Sequence, residues 1–206
     1  MLLDINNNMA ENLTDIFQRN KYNLHSAARQ SRSWFDQQVL LIKQQHLTPN
    51  KVIRSESLSA QSRIIPGYMY MFFYDAKHKD TLPYWDRFPL VFPFEKTKDG
   101  FIGLNLHYLP YHLRVPLLDR LMFYATNRNM DEKTRIKYSW GTISGMSKYK
   151  AAEPCVKRYL NSQVRSPFKK VDAQHWATAM MLPVESFVGS NKLQVWEESK
   201  RKIRRP

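Results

Sequence analysis

Between Arg128 and Lys170 eleven basic side chains stand against three acidic ones. They are Arg128, Lys133, Arg135, Lys137, Lys148, Lys150, Lys157, Arg158, Arg165, Lys169 and Lys170. Cations at this density attract the phosphates of nucleic acid, because each neutralised phosphate releases condensed counterions. Tyr138, Trp140, Tyr149 and Tyr159 are interleaved with them, as in a surface that follows a phosphate backbone and stacks on exposed bases. The same aromatic spacings also serve ordinary core contacts. The run from Lys200 to Arg205 is a second phosphate-seeking stretch, or a solvated helix end whose charge complements the helix dipole.

Recognition of a protein is a different chemistry, and the segment Leu82-Pro-Tyr-Trp-Asp-Arg-Phe-Pro suits it. Tyr84, Trp85 and Arg87 lie between prolines in a rigid amphipathic loop, and such side chains are favoured interface anchors. Equally, Tyr84, Trp85 and Phe88 can close the end of a small barrel.

Bond-making chemistry has little support. The six glycines never fall at nucleotide-binding spacing, and no nucleophile elbow occurs. His107 and His112 are the nearest histidine pair, but Pro110 between them breaks the register that would bring both imidazoles to one metal. Cys155, beside Pro154 at a helix start, reads as a small core residue rather than a nucleophile. Asp75, Asp80, Asp86, Glu95 and Asp99 could form a metal or acid-base set, yet most adjoin Lys, Arg or turn residues and read better as ion pairs and turn caps. The sequence therefore names no catalytic residue, no metal ligands and no cofactor site.

These side chains need a scaffold, and composition says one is available. The 206 residues are 43% apolar and 13% aromatic, enough for a folded domain despite a formal charge of +14. Residues 66 to 111 are neutral, with five basic and five acidic side chains, whereas residues 112 to 206 hold 19 basic and 8 acidic. The field is thus a property of the C-terminal half. A single cysteine favours a reducing compartment, and the absence of a signal-like start or a long apolar run argues against export and membrane insertion.

The predicted fold is α+β: a small antiparallel sheet, SH3-like or barrel-type, with N-terminal helical arms and a basic helical C-terminal half. Residues 1–47 read as the helical arm, with one helix from about Glu11 to Gln30 and a second carrying Trp34, Phe35, Val39 and Ile42. Residues 48–65 read as a linker, 66–127 as the β module with its following helix, and 128–206 as the basic helical region, one globular unit with the module. Tyr68 to Tyr74, Leu90 to Phe94 and Phe101 to Tyr108 read as strands, with Asp99-Gly100 turning a hairpin through glycine's access to positive φ and Pro93 marking an edge or strand end. Pro116 is placed in the first turn of a long helix, and Asp131 caps another that Gly141 and Gly145 stop. Further helices are expected at Pro154 to Leu160, around Ala173 to Met181 and from Asn191 to Ile203, with an extended piece near Phe168 to Val171.

The segments Pro66-Gly-Tyr-Met-Tyr-Met-Phe-Phe-Tyr-Asp-Ala-Lys, Leu82-Pro-Tyr-Trp-Asp-Arg-Phe-Pro-Leu-Val and Gly100-Phe-Ile-Gly-Leu-Asn-Leu-His-Tyr-Leu-Pro, with Cys155-Val-Lys-Arg-Tyr-Leu, Leu182-Pro-Val-Glu-Ser-Phe and Val195-Trp-Glu-Glu-Ser, carry a resemblance. Over roughly residues 30 to 204 the chain resembles a conserved virion or assembly protein of T-even-like tailed bacteriophages, of the DNA-end-protecting or head/tail completion type. That resemblance implies a non-enzymatic phage structural or assembly protein whose partners are DNA and other phage structural proteins rather than a membrane. Its implied places are the virion and, during assembly, the host cytoplasm. Two alternatives stay open: a tail or baseplate component acting only through protein contacts, and a DNA-processing enzyme such as a nuclease.

Overall fold

The computed structural model describes Leu13 and residues 32–44, 46–125, 127 and 129–205. The expected helix over Glu11 to Gln30 lies outside the described residues, Leu13 excepted. The next one is present as α1 (Arg32–Lys43), which buries Phe35, Val39 and Ile42 along one stripe. The stretch 48–65 carries α2 (Pro49–Arg54), whose first turn is capped by the Thr48 hydroxyl accepting from the Lys51 amide, and the short strand β1 (Ser59–Gln61). Val52 and Leu58 from this stretch are buried.

The remaining elements are β2 (Met69–Met71), β3 (Trp85–Asp86), β4 (Leu90–Thr97), β5 (Gly100–Asn105), α3 (Tyr111–Ala125), α4 (Glu132–Met146), β6 (Val156–Leu160), β7 (Phe168–Val171), the one-turn α5 (Trp176–Ala179), β8 (Phe187–Val188) and α6 (Lys192–Arg204). Six strands form one antiparallel sheet in the order β1-β7-β2-β4-β5-β6, and β3 pairs with β8 separately. The architecture is α+β, with a sheet wider than the hairpin module alone. Val156 to Leu160, expected as a helix, is the edge strand β6, and the helical turn there is confined to a 3-10 segment over Lys150–Cys155. Pairing along the whole of β5 overrides the local helix signal.

Strand alternation divides the interior. Met69, Met71, Leu90, Phe92, Leu104 and Val171 face a core shared with α1, α3, α4 and α6. Tyr70, Phe72, Val91, Phe101, Tyr159 and Phe168 face a second, ring-rich core built from strands and loops. There Phe72 meets Phe168 edge-on at 5.0 Å and Phe101 stacks on Tyr159 at 5.3 Å between ring centroids. Such offset and T-shaped arrangements suit the ring quadrupole.

The β4–β5 hairpin turns at Lys98 and Asp99, but glycine serves it differently from the expectation. Gly100 lies outside the positive-φ region, and a Cβ there would sit 1.8 Å from the Tyr159 carbonyl oxygen, so close approach of β6 excludes a side chain. Pro93 lies at a bulge in β4, past the last residue paired to β2, where no ladder donor is required. Pro116 falls in the second turn of α3 rather than the first. The helix begins earlier because the Leu113 amide donates to the Pro110 carbonyl (2.9 Å) and Arg114 Nε to the Leu109 carbonyl (2.8 Å). Gly141 does not end α4, which runs through it to Met146.

Candidate nucleic-acid interface

Five segments far apart in sequence meet behind the β5–β6 end of the sheet. Asp86, 3% exposed, holds them: Oδ1 accepts from the amides of Phe88 (3.0 Å) and Ser186 (3.3 Å), and Oδ2 accepts from Asn105 Nδ2 (3.0 Å) and lies 2.8 Å from His107 Nδ1. Asn105 Nδ2 also donates to the Tyr159 hydroxyl (3.0 Å), and its Oδ1 accepts from the His107 amide. Trp196 Nε1 of α6 donates to the His107 carbonyl (2.8 Å). Nδ1 of His107 thus faces Asp86, while its Nε2 is buried without a hydrogen-bond partner. The pair is sealed from solvent, so its role is to lock chain segments in place.

Beside it, Arg114 is wholly buried. Nη2 donates to Glu185 (2.8 Å) and Nη1 to the Met180 carbonyl (2.5 Å), and the guanidinium lies 4.6 Å from the Tyr111 ring centroid. Burial pushes the Glu185 carboxyl up, but Arg114, His107 and Lys192 outweigh it and hold that group below the usual carboxylate range. The Cys155 thiol is buried and pushed up to about 12 by desolvation, so it is inert.

In front of this network a cleft of about 530 Å³ opens between β6 and the loop carrying Lys77, His78 and Tyr84. Tyr74, Trp85, Tyr108 and Tyr159 form its floor, and Lys157 and Arg158 stand on the β6 side. Lys157 Nζ lies 4.1 Å from the Tyr108 ring centroid and makes no salt bridge among the described residues. Burial lowers its pKa from the ordinary lysine value. Arg158 Nη2 instead donates to both Asp99 carboxylate oxygens, at 2.8 and 3.0 Å.

The basic residues singled out in the sequence separate into groups. Lys133 and Lys137 are exposed near the start of α4, with Arg135 half-buried between them. Lys148 and Lys150 are exposed beyond its end, roughly 20 Å away at 1.5 Å per helical residue. There Met146, Tyr149 and Ala152 share an apolar groove with Ile203, which brings the basic end of α6 alongside. None of the four lysines makes a salt bridge among the described residues. Arg165 lies 3.9 Å from Asp75, and Lys170 pairs with Asp172 at 3.3 Å while sitting over Tyr68. Lys169 is 8% exposed, and its ammonium donates to the carbonyls of Ser55 (2.8 Å) and Leu58 (3.3 Å), tying α2 and β1 to the sheet. Arg128 lies outside the described residues.

Of the loop residues, Trp85 is buried at 8% exposure, Tyr84 is half-buried with its hydroxyl donating to Glu198 (2.8 Å), and Arg87 is exposed. Sequence reasoning missed Lys77 and His78 on the cleft, and the Asp86 and Glu185 networks. Strand alternation held the signal for Lys169, since Val171 places that face inside.

Among the described residues no three His, Cys, Asp or Glu side chains converge as metal ligands would, and no helix is long and apolar enough to cross a membrane. Comparisons with curated proteins and with solved structures give no match. The family model described as phage T4 terminal DNA protecting protein matches residues 3–200. Covering nearly the whole chain, and so the sheet, the buried polar networks and most of α6, that match places this protein in the family of phage T4 terminal DNA protecting proteins.

Proposed function

We propose that the chain binds the ends of double-stranded DNA and shields them without catalysing a reaction, as a component of the phage particle alongside other structural proteins and in the host cytoplasm during assembly. The observation that carries this reading is a set of exposed cations that make no salt bridge among the described residues: Lys133, Lys137, Lys148 and Lys150, with Arg201 and Arg204 on the end of α6. Exposed charges without partners remain available to phosphates, whereas Arg158, Arg165 and Lys170 already share carboxylates. Duplex binding measured against salt tests it. Each phosphate contact contributes a slope of about −0.9 in log affinity against log salt, so changing the four lysines together to Gln makes the slope shallower by about three to four. A protein that binds no DNA at low ionic strength overturns the reading, and the basic face is then a seat for an acidic protein neighbour.

A further inference from the structure

The exposed lysines explain attraction to any duplex but not preference for its end, and the cleft beside β6 has features they lack. Its ammonium, Lys157, is half-buried against an aromatic ring and makes no salt bridge among the described residues, a placement where charge is costly. The carboxylates nearest it hold closer partners: Asp86 holds Asn105 and His107, Asp99 holds Arg158, and Glu198, which attracts Lys157 at longer range, is engaged by Lys202 (3.0 Å) and Tyr84. Lys77 on the opposite wall also makes no salt bridge among the described residues. The cleft volume, about 530 Å³, falls in the range of roughly 300–1,000 Å³ that encloses one small ligand, so it admits a nucleotide and leaves the duplex outside. Because β6 is the last strand of the sheet, nothing in the sheet closes that side.

Resting on the DNA-end reading above, we propose that this cleft seats the terminal phosphate monoester of a DNA strand, with Lys157 and Lys77 on the phosphate and Tyr84 against the terminal sugar and base. A monoester carries a charge of about −1.5 to −2 near neutral pH, against one for an internal phosphate, and a half-buried ammonium reads that difference more strongly than an exposed one. In an intact duplex only a strand end offers a monoester, and its last base, stacked on one side alone, leaves at smaller cost than an internal paired base.

The test titrates four fluorescent duplexes of one length and sequence by anisotropy at one salt concentration: 5′-phosphorylated, 3′-phosphorylated, unphosphorylated, and a dumbbell closed at both ends. Wild-type protein should prefer one phosphorylated duplex over the dumbbell by about tenfold or more. Which of the two wins identifies the monoester. Lys157→Gln should bring that ratio close to one, Lys77→Gln on the exposed loop should reduce it part-way without touching the core, and the Lys148→Gln, Lys150→Gln pair should weaken all four duplexes alike. A wild-type protein that binds phosphorylated and unphosphorylated ends equally overturns the cleft assignment while leaving DNA binding intact. So does a Lys77→Gln or Lys157→Gln protein that weakens all four in proportion. Failure of the wild type to bind any of the four removes the DNA reading and the cleft assignment together.

Discussion

Arg114 Nη2 and Glu185 Oε1 meet at 2.8 Å with their side chains 0% and 1% exposed, joining the first turn of α3 to the segment that leads into β8. Removing one partner of such a pair strands a charge in a low-dielectric interior. Arg114→Met should therefore destabilise the fold by about 3–5 kcal/mol, and the double change Arg114→Met, Glu185→Met should recover much of that loss. Urea midpoints of the two variants, read at constant slope, check it.

The same pair sets an acid limit. Glu185 has a folded pKa below its unfolded value, so its contribution is fully present above the unfolded value of about 4.3 and is lost as pH falls through the lower folded one. Stability measured from pH 6 downwards should hold until about pH 5 and then decline, and Glu185→Gln should flatten that decline. An identical acid profile for the variant would assign the loss to other carboxylates.

Lys169 offers a contrast with the exposed lysines. Lys169→Met leaves the Ser55 and Leu58 carbonyls without their donor and should cost about 1–3 kcal/mol, while the salt slope of DNA binding stays where it was. A shallower slope in this variant would mean that the ammonium leaves its carbonyls to meet phosphate.

Trp85 and Arg87 should separate in the opposite way from a shared-patch expectation. Trp85→Ala empties a buried site between β3 and the ring-rich core and should cost about 3–5 kcal/mol. Arg87→Ala, at an exposed position, should change stability by no more than about 0.5 kcal/mol, so any loss of particle assembly it causes reports on a contact surface. Thermal unfolding and incorporation into particles measure the two effects.

Elements whose own residues decide them were legible. Asn191 caps α6 by accepting from the Gln194 amide, and Val195 and Trp196 mark its buried face, so that helix follows from local pattern. The β4–β5 hairpin follows from Asp99-Gly100, although Gly100 is there for proximity to Tyr159 rather than for its φ. Edge strand β6 was not legible, because Val156, Lys157 and Leu160 are only half-buried and Tyr159 alone points inward, leaving no alternation to read. Nor was the cleft, whose walls come from residues 74–86, Tyr108 and 156–160, segments that only the folded chain brings together. Among the eleven basic residues, sequence gives the charge, and only packing tells Lys169 and Lys157 from Lys148.

Strand order has a consequence in time. β7 lies between β1 and β2, so residues 59–61 and 69–71, close in sequence, are never hydrogen-bonded to each other and must wait for residues 168–171. A nascent chain halted anywhere before Phe168 holds an empty slot one strand wide, with unpaired backbone on both sides. Pairings of such long sequence separation form late and slowly. The sheet thus closes only after Lys157 and the α4 lysines have been synthesised, and a prematurely terminated fragment carries the positive charge of α4 on an unfinished, sticky scaffold.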